Sequence, residues 1–187
     1  MSMPAETTRW TAERARALPD DGKRYEVLDG ELFVTPAPTL LHQRALLYLI
    51  RVLDPYVSTH RLGELLTSPA DIEFSEDRLV QPDLFVTREA PGKRAKSWRD
   101  IRGLVLVVEV LSPSTARADR NVKSRIYMEE DVGEYWIVDL RARLVERWRK
   151  GESRPEIVRS LLEWKPAAGS PPLVIDLGDY FGHVLDG

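Results

Sequence analysis

The run Leu104-Val105-Leu106-Val107-Val108-Glu109-Val110-Leu111 constrains this chain more than any other feature. It is apolar on both faces, as expected of a strand in the middle of a sheet that is covered on both sides. Yet it contains Glu109. An ionised carboxylate in such a place carries a large desolvation penalty unless a cation or an array of donors meets it. Two answers are open. Glu109 pairs with an arginine at a strand end, or it binds a divalent cation where the central strand opens into a cleft.

The flanking sequence supplies the rest of a mixed sheet. Thr8 to Leu18 reads as a short amphipathic helix stopped by Pro19. Arg24 to Leu28 and Glu31 to Thr35 flank Asp29-Gly30, the pair that a tight primed turn prefers, so they form a hairpin. From Thr39 to about Ser58 apolar residues recur at helical spacing, with a bend or an end expected near Pro55. Leu62 to Thr67, Ala70 to Phe74 and Leu79 to Thr87 are strand-prone. After the central strand, Ser112-Pro113-Ser114-Thr115 offers N-caps for a helix reaching about Asp131. Glu134 to Asp139, Leu144 to Trp148, Glu156 to Leu161 and Leu173 to Ile175 read as further strands. The expected fold is one α/β domain over residues 1–187, its mixed sheet flanked by helices and extended by the early hairpin and the strands after 140.

Composition narrows the chemistry. The 187 residues contain no cysteine, which excludes a disulfide scaffold, a cysteine nucleophile and a thiolate zinc site. Only His42, His60 and His183 are available as imidazole ligands. A metal would therefore be held by oxygen and be a hard ion. No apolar run is long enough to cross a membrane, and the first twenty residues lack the apolar core of a secretory signal, so the expected location is cytoplasmic, with no membrane partner. A net charge of -3 excludes a histone-like electrostatic binder. Basic stretches at 92–102 and 141–150 are either solvated surface charge or local contacts for a polyanion.

Asp83, after Gln81-Pro82 and before Leu84-Phe85-Val86, is a second carboxylate able to reach a neighbouring strand end, although Pro-Asp also serves as a plain turn. Asp119, Lys123 and Tyr127 are spaced by four and share one helix face. Lys123 either leans over a metal site or makes an ordinary surface pair with Asp119. Glu26 and Glu31 of the hairpin, Asp71 and Glu73, Gln81, and His42 at the start of the long helix are accessory candidates. Each also has a bland reading as surface, cap or core.

Taken together, Pro82-Asp83, Glu109, Ser112-Pro113-Ser114-Thr115, Asp119, Lys123, Tyr127 and Glu134-Tyr135-Trp136-Ile137-Val138-Asp139 resemble the Uma-two family of bacterial restriction endonuclease-like domains, in the PD-(D/E)xK nuclease superfamily. Tyr25 to Leu32, Pro36-Ala37-Pro38 and His42-Gln43 extend the resemblance to about residues 24–150. It implies a restriction-endonuclease-like fold and Mg²⁺- or Mn²⁺-dependent hydrolysis of phosphodiester bonds in DNA. The implied catalytic residues are Asp83, Glu109 and Lys123, with the main-chain carbonyl of Val110 as a further metal ligand. One departure stands out. The lysine expected two residues after the strand carboxylate falls at Leu111, and the resemblance implies that Lys123 replaces it from the following helix.

Phosphate contacts are expected from Lys93, Arg94 and Lys96 of the basic loop and from Arg117, Arg120 and Arg125 near the cleft. A homodimer is expected by analogy with nucleases that cut both strands. A non-catalytic nucleic-acid-binding or interaction module that kept the fold is the competing reading, supported by Leu111. A hydrolase of small phosphate esters is a third.

Overall fold

The computed structural model describes residues 9–88, 94–101 and 103–187. Its centre is a six-stranded mixed sheet. In chain order the strands are β1 (Arg24–Leu28), β2 (Glu31–Thr35), β3 (Leu65–Thr67), β4 (Ile72–Ser75), β5 (Arg78–Val80), β6 (Leu84–Thr87), β7 (Leu104–Val110), β8 (Glu134–Asp139), β9 (Leu144–Arg149), β10 (Glu156–Val158), β11 (Leu161–Trp164) and β12 (Leu173–Asp176). The helices are α1 (Ala12–Arg16), α2 (Leu40–Thr59), α3 (Ser124–Glu129) and α4 (Leu177–Phe181). The large sheet runs β10-β9-β8-β7-β6-β3, with β7 and β8 parallel and the other neighbours antiparallel.

All seven residues of β7 are buried, as a strand covered on both faces requires. On one face Leu106, Val108 and Val110 pack with Leu49 and Leu53 of α2 and with Trp136, Trp164 and Tyr180. On the other, Val107 packs with Leu28, Val80, Phe85, Ile126, Tyr127 and Tyr135. Side chains alternate along a strand, so Glu109 shares the second face with Val107 and points at the layer that holds β1 and α3.

That layer differs from the expectation. The hairpin does not extend the central sheet. It belongs to a separate antiparallel sheet, β2-β1-β5-β4, stacked on it. Asp29 and Gly30 form its turn with φ of 52° and 84°, the positive values that make Asp-Gly suitable. The segment read as one strand from Leu79 to Thr87 is two. Pro82 has no N–H to give a ladder, and the chain passes there from β5 of the small sheet to β6 of the large one. Asp83 sits at that crossing.

Helix α2 runs through Pro55 without ending, to Thr59. The helix expected to run to about Asp131 is present as a continuous helical segment from Ala116 to Glu129, its middle wound more widely than an α-helix. A wide π-type turn, Ala118–Lys123, precedes the short α3. Such turns insert an extra residue per turn and are frequent at functional sites. Beyond β12, α4 and a second wide turn, Gly182–Asp186, bring Leu177, Tyr180, Phe181 and Val184 onto the α2 side of the core. Among the described residues, no helix is long and apolar enough to cross a membrane.

Gly133 enters β8 against the start of β7, its N–H donating to the Leu104 carbonyl at 3.0 Å. A Cβ there would stand 2.4 Å from the Val105 carbonyl oxygen, which belongs to the central strand. Gly133→Ala is therefore expected to lower stability by about 1–3 kcal/mol, the usual cost of overpacking. Urea denaturation checks this, and an unchanged midpoint would contradict the packing described.

Candidate active site

Four segments converge on the end of β7. Leu84 pairs with Val108, so Asp83 lies one step beyond that pair, beside Glu109. The Val110 N–H donates to Asp83 Oδ2 at 2.9 Å, tying the two strand ends together. Strand β1 presents Arg24 and Glu26, two residues apart and hence on one side. Thr39 caps α2 by accepting from the His42 N–H at 3.3 Å, which fixes the helix start and with it His42. The wide turn turns Asp119 and Lys123 inward.

The contacts are short and buried. Lys123 Nζ lies 2.9 Å from Glu109 Oε1, 2.9 Å from Glu26 Oε1 and 3.5 Å from Asp119 Oδ1. The Tyr127 hydroxyl donates to Glu109 Oε1 at 3.2 Å, and the Gln81 main-chain N–H donates to Glu26 Oε1 at 2.8 Å. Arg24 Nη1 donates to Asp83 Oδ1 at 2.6 Å. His42 Nε2 lies 3.1 Å from Asp83 Oδ2, close enough for an ion pair when the ring is protonated but not aligned for a hydrogen bond.

Burial and charge set the protonation states. Burial pushes the Glu109 carboxyl well above the usual range against the pull of Lys123, and the nearby carboxylates add to the rise. Burial also raises Asp119. Asp83 goes the other way, because His42 and the Arg24 guanidinium overcome its burial and hold it below the ordinary carboxylate range. For Lys123, burial disfavours the charge, but Glu109, Glu26 and Asp119 outweigh it and push the ammonium further up. Lys123 therefore stays protonated and acts as a fixed cation.

Residues from these segments line a cleft of about 220 Å³, whose rim is formed by Pro36 to Thr39 and Ser112 to Thr115. Four buried carboxylates, Glu26, Asp83, Glu109 and Asp119, face two permanent cations, Lys123 and Arg24. Asp119 Oδ1 is buried without a hydrogen bond. The donors are oxygens and the balance is negative, which fits a hard divalent cation. Among the described residues, no three acidic or histidine side chains form a ready-made metal cage. An ion here would rest on Asp83, Glu109, the Val110 carbonyl and water, a sparse set of the kind magnesium accepts.

Asp83, Glu109, Val110, Lys123, Asp119 and His42 thus line one cleft, and Tyr127 reaches it through Glu109. Gln81 touches the cluster through its main chain, while its side-chain amide turns away to Asp71 at 2.8 Å. Glu31 is exposed at the start of β2 and does not line the cleft: paired with Leu28 it shares the sheet face of Glu26 but sits at the turn end of the hairpin. Asp71 and Glu73 instead pair with Arg16.

The basic candidates are mostly elsewhere. Lys93 lies outside the described residues. Arg94 and Lys96 belong to the connection between β6 and β7, rooted where the Arg88 N–H donates to the Gly103 carbonyl at 2.9 Å. That root is at the far end of both strands from Asp83 and Glu109, roughly 13 Å away at ~3.3 Å per residue. Arg94 pairs with Glu64, and Lys96 is exposed. Arg120 binds Asp139 and Glu146, and Arg125 binds Asp29 and Glu129, so both charges are committed locally. Arg117 is exposed beside the wide turn. The residue that sequence reasoning missed is Arg24. The signal was present: Arg24 and Glu26 alternate with Tyr25 and Val27, giving the strand one polar edge.

The model of the Uma2 family, described as "Putative restriction endonuclease", matches residues 12–177. Among solved structures, a chain described as a putative nuclease belonging to DUF820, from Anabaena variabilis, has the same fold. Its TM-score is 0.75 at 18% identity, covering 94% of this chain and 99% of that one. No curated protein matches.

Removing the ammonium should expose the dependence of the cluster on it. Lys123→Met leaves Glu26, Glu109 and Asp119 buried without a counter-charge and is expected to cost about 3–5 kcal/mol at pH 7. Lys123 opposes the rise of the Glu109 and Asp119 carboxyls, so its loss raises both further, and the folded variant takes up a proton more readily than folded wild type. The favourable contribution of that uptake is then complete below the ordinary glutamate pKa and is lost as pH rises through the folded value. The deficit of Lys123→Met should accordingly shrink between pH 7 and pH 5 in urea melts. A deficit independent of pH would contradict this charge arrangement.

Proposed function

The chain belongs to the Uma2 family of restriction endonuclease-like proteins, and from that membership we propose that it is a metal-dependent endonuclease of the PD-(D/E)xK type acting on DNA. The observation that carries the reading is the 2.9 Å contact between Lys123 Nζ and Glu109 Oε1 in the cleft that also holds Asp83. It answers the departure at Leu111, because an ammonium stands beside the strand carboxylate although the residue two positions on is apolar.

Asp83 and Glu109, with the Val110 carbonyl, would hold Mg²⁺ or Mn²⁺. When bound, such an ion supplies Lewis-acid chemistry, lowering the pKa of a water and offsetting charge on the scissile phosphate. The protein's own groups do the rest. Asp83 is kept ionised by its neighbours and is ready as a ligand. Glu109 becomes one by giving up its proton, which couples ion uptake to pH. Lys123, fixed in its protonated form, serves as an electrostatic group, orienting the attacking water or stabilising charge on the phosphate rather than acting as a base. The Pro36 to Thr39 and Ser112 to Thr115 rims admit the backbone of the substrate. Pairing of two such sites in a homodimer, for cuts in both strands, belongs to the same reading.

Purified protein is expected to cut supercoiled plasmid or single-stranded DNA with Mg²⁺ or Mn²⁺ and not with EDTA. Asp83→Asn and Glu109→Gln should each lose ~10²-fold or more of that rate while still folding. Wild type that stays inert in every metal, yet binds DNA as tightly as the two variants, would favour the non-catalytic binding module.

A further inference from the structure

Arg24 stands at the junction of two cavities. One is the cleft already described, and the other is a groove of about 750 Å³ that shares Arg24, His42 and Asp83 with it. The groove combines an apolar wall with basic groups. Leu40 and Leu47 of α2 are 68% and 47% exposed, and Lys23 and Arg44 stand with them. Apolar surface for bases or sugars beside cations for phosphates is the combination that holds a single nucleic-acid strand.

The guanidinium is only partly used. Nη1 donates to Asp83 Oδ1, with a longer 3.4 Å contact to Ser68 Oγ, while Nε is buried without a hydrogen-bond partner. Asp83 is crowded by comparison. Arg24 and the Val110 N–H each take an acceptor site on it, and the His42 ring stands 3.1 Å from Oδ2. A divalent ion held by Asp83 would repel the nearby guanidinium and compete with it for the carboxylate. The Val110 amide is fixed by the backbone of β7 and His42 by the first turn of α2. Arg24 has a long, flexible side chain that lines both cavities, so it is the partner able to turn away.

Resting on the nuclease reading above, we propose that Arg24 exchanges partners. It holds Asp83 until a divalent ion arrives, then turns its guanidinium to a phosphate of the strand lying in the groove next to the scissile bond. A planar fork of donors suits a phosphate, and Arg is favoured where such recognition is required. Arg24 is then a substrate-binding residue and also a competitor of the metal.

These two roles predict opposite effects of one substitution. The probes are Mn²⁺ alone, titrated calorimetrically, and thymidine 3′,5′-bisphosphate with Mn²⁺ present, which carries phosphates but no phosphodiester to cleave. Arg24→Gln should bind Mn²⁺ several-fold more tightly than wild type, and the bisphosphate roughly tenfold more weakly, the effect of losing one charge-assisted contact. Arg24→Lys, which keeps a counter-charge for Asp83 if the Gln variant folds poorly, should retain near wild-type Mn²⁺ affinity and lose part of the bisphosphate affinity. Variants that bind both probes as wild type does, or lose both together, overturn the proposal and leave the nuclease reading standing. Wild type that takes up no Mn²⁺ at all removes that reading and this inference with it.

Discussion

A single ammonium, that of Lys123, holds three carboxylates inside the protein, and the layered structure around the cleft depends on it. Glu26 comes from the small sheet, Glu109 from the central strand, and Asp119 from the same turn as Lys123 itself. In a low-dielectric interior each of these acids alone would be driven to neutrality or out to water. Clustered on one cation they hold two sheets and a crossover in register. Such a cluster contributes little net stability compared with an apolar core, since desolvation consumes most of the Coulombic gain. Its value lies in the arrangement it fixes.

That arrangement stays negative. Arg24 balances Asp83, while Lys123 serves three acids at once; burial, helped by the neighbouring acids, pushes Glu109 toward its protonated form. A site of this kind has room in its charge balance for a divalent ion. The opposite shifts of Asp83 and Glu109 suit the two carboxylates to different tasks in the proposed site: Asp83 stays ionised, whereas Glu109 would have to give up a proton to hold an ion. Asp119 and Lys123, four residues apart across the wide turn before α3, both face inward.

The central strand was legible because a continuous apolar run with one acid in it has few other places to go. The hairpin was legible because Asp29-Gly30 demands positive φ, and α2 because its apolar positions recur at helical spacing. Asp83, Glu109 and Lys123 could be named from their types and spacing, but not their distances. The handover at Pro82 from one sheet to another could not be read, since periodicity reports which face is apolar and not which sheet a strand joins. The Arg24 to Asp83 contact joins residues 59 apart, and only the stacking of two sheets creates it. The charge of the basic stretch at 92–102 is visible in the sequence, whereas the root of the connection that carries it, at the far end of β6 and β7, is a matter of topology. At the C-terminal end, Leu177, Tyr180, Phe181 and Val184 had helical spacing, but Gly178 and Gly182 disguised it.

Anomalous scattering from a crystal soaked in Mn²⁺ tests the central claim most directly. The account predicts one strong peak in the cleft, roughly 2.0–2.2 Å from carboxylate oxygens of both Asp83 and Glu109, with the Lys123 ammonium beside it. A peak on other residues, or none while Lys123 still closes the carboxylate cluster at full Mn²⁺ loading, would contradict the assignment of this cleft as a metal-dependent active site.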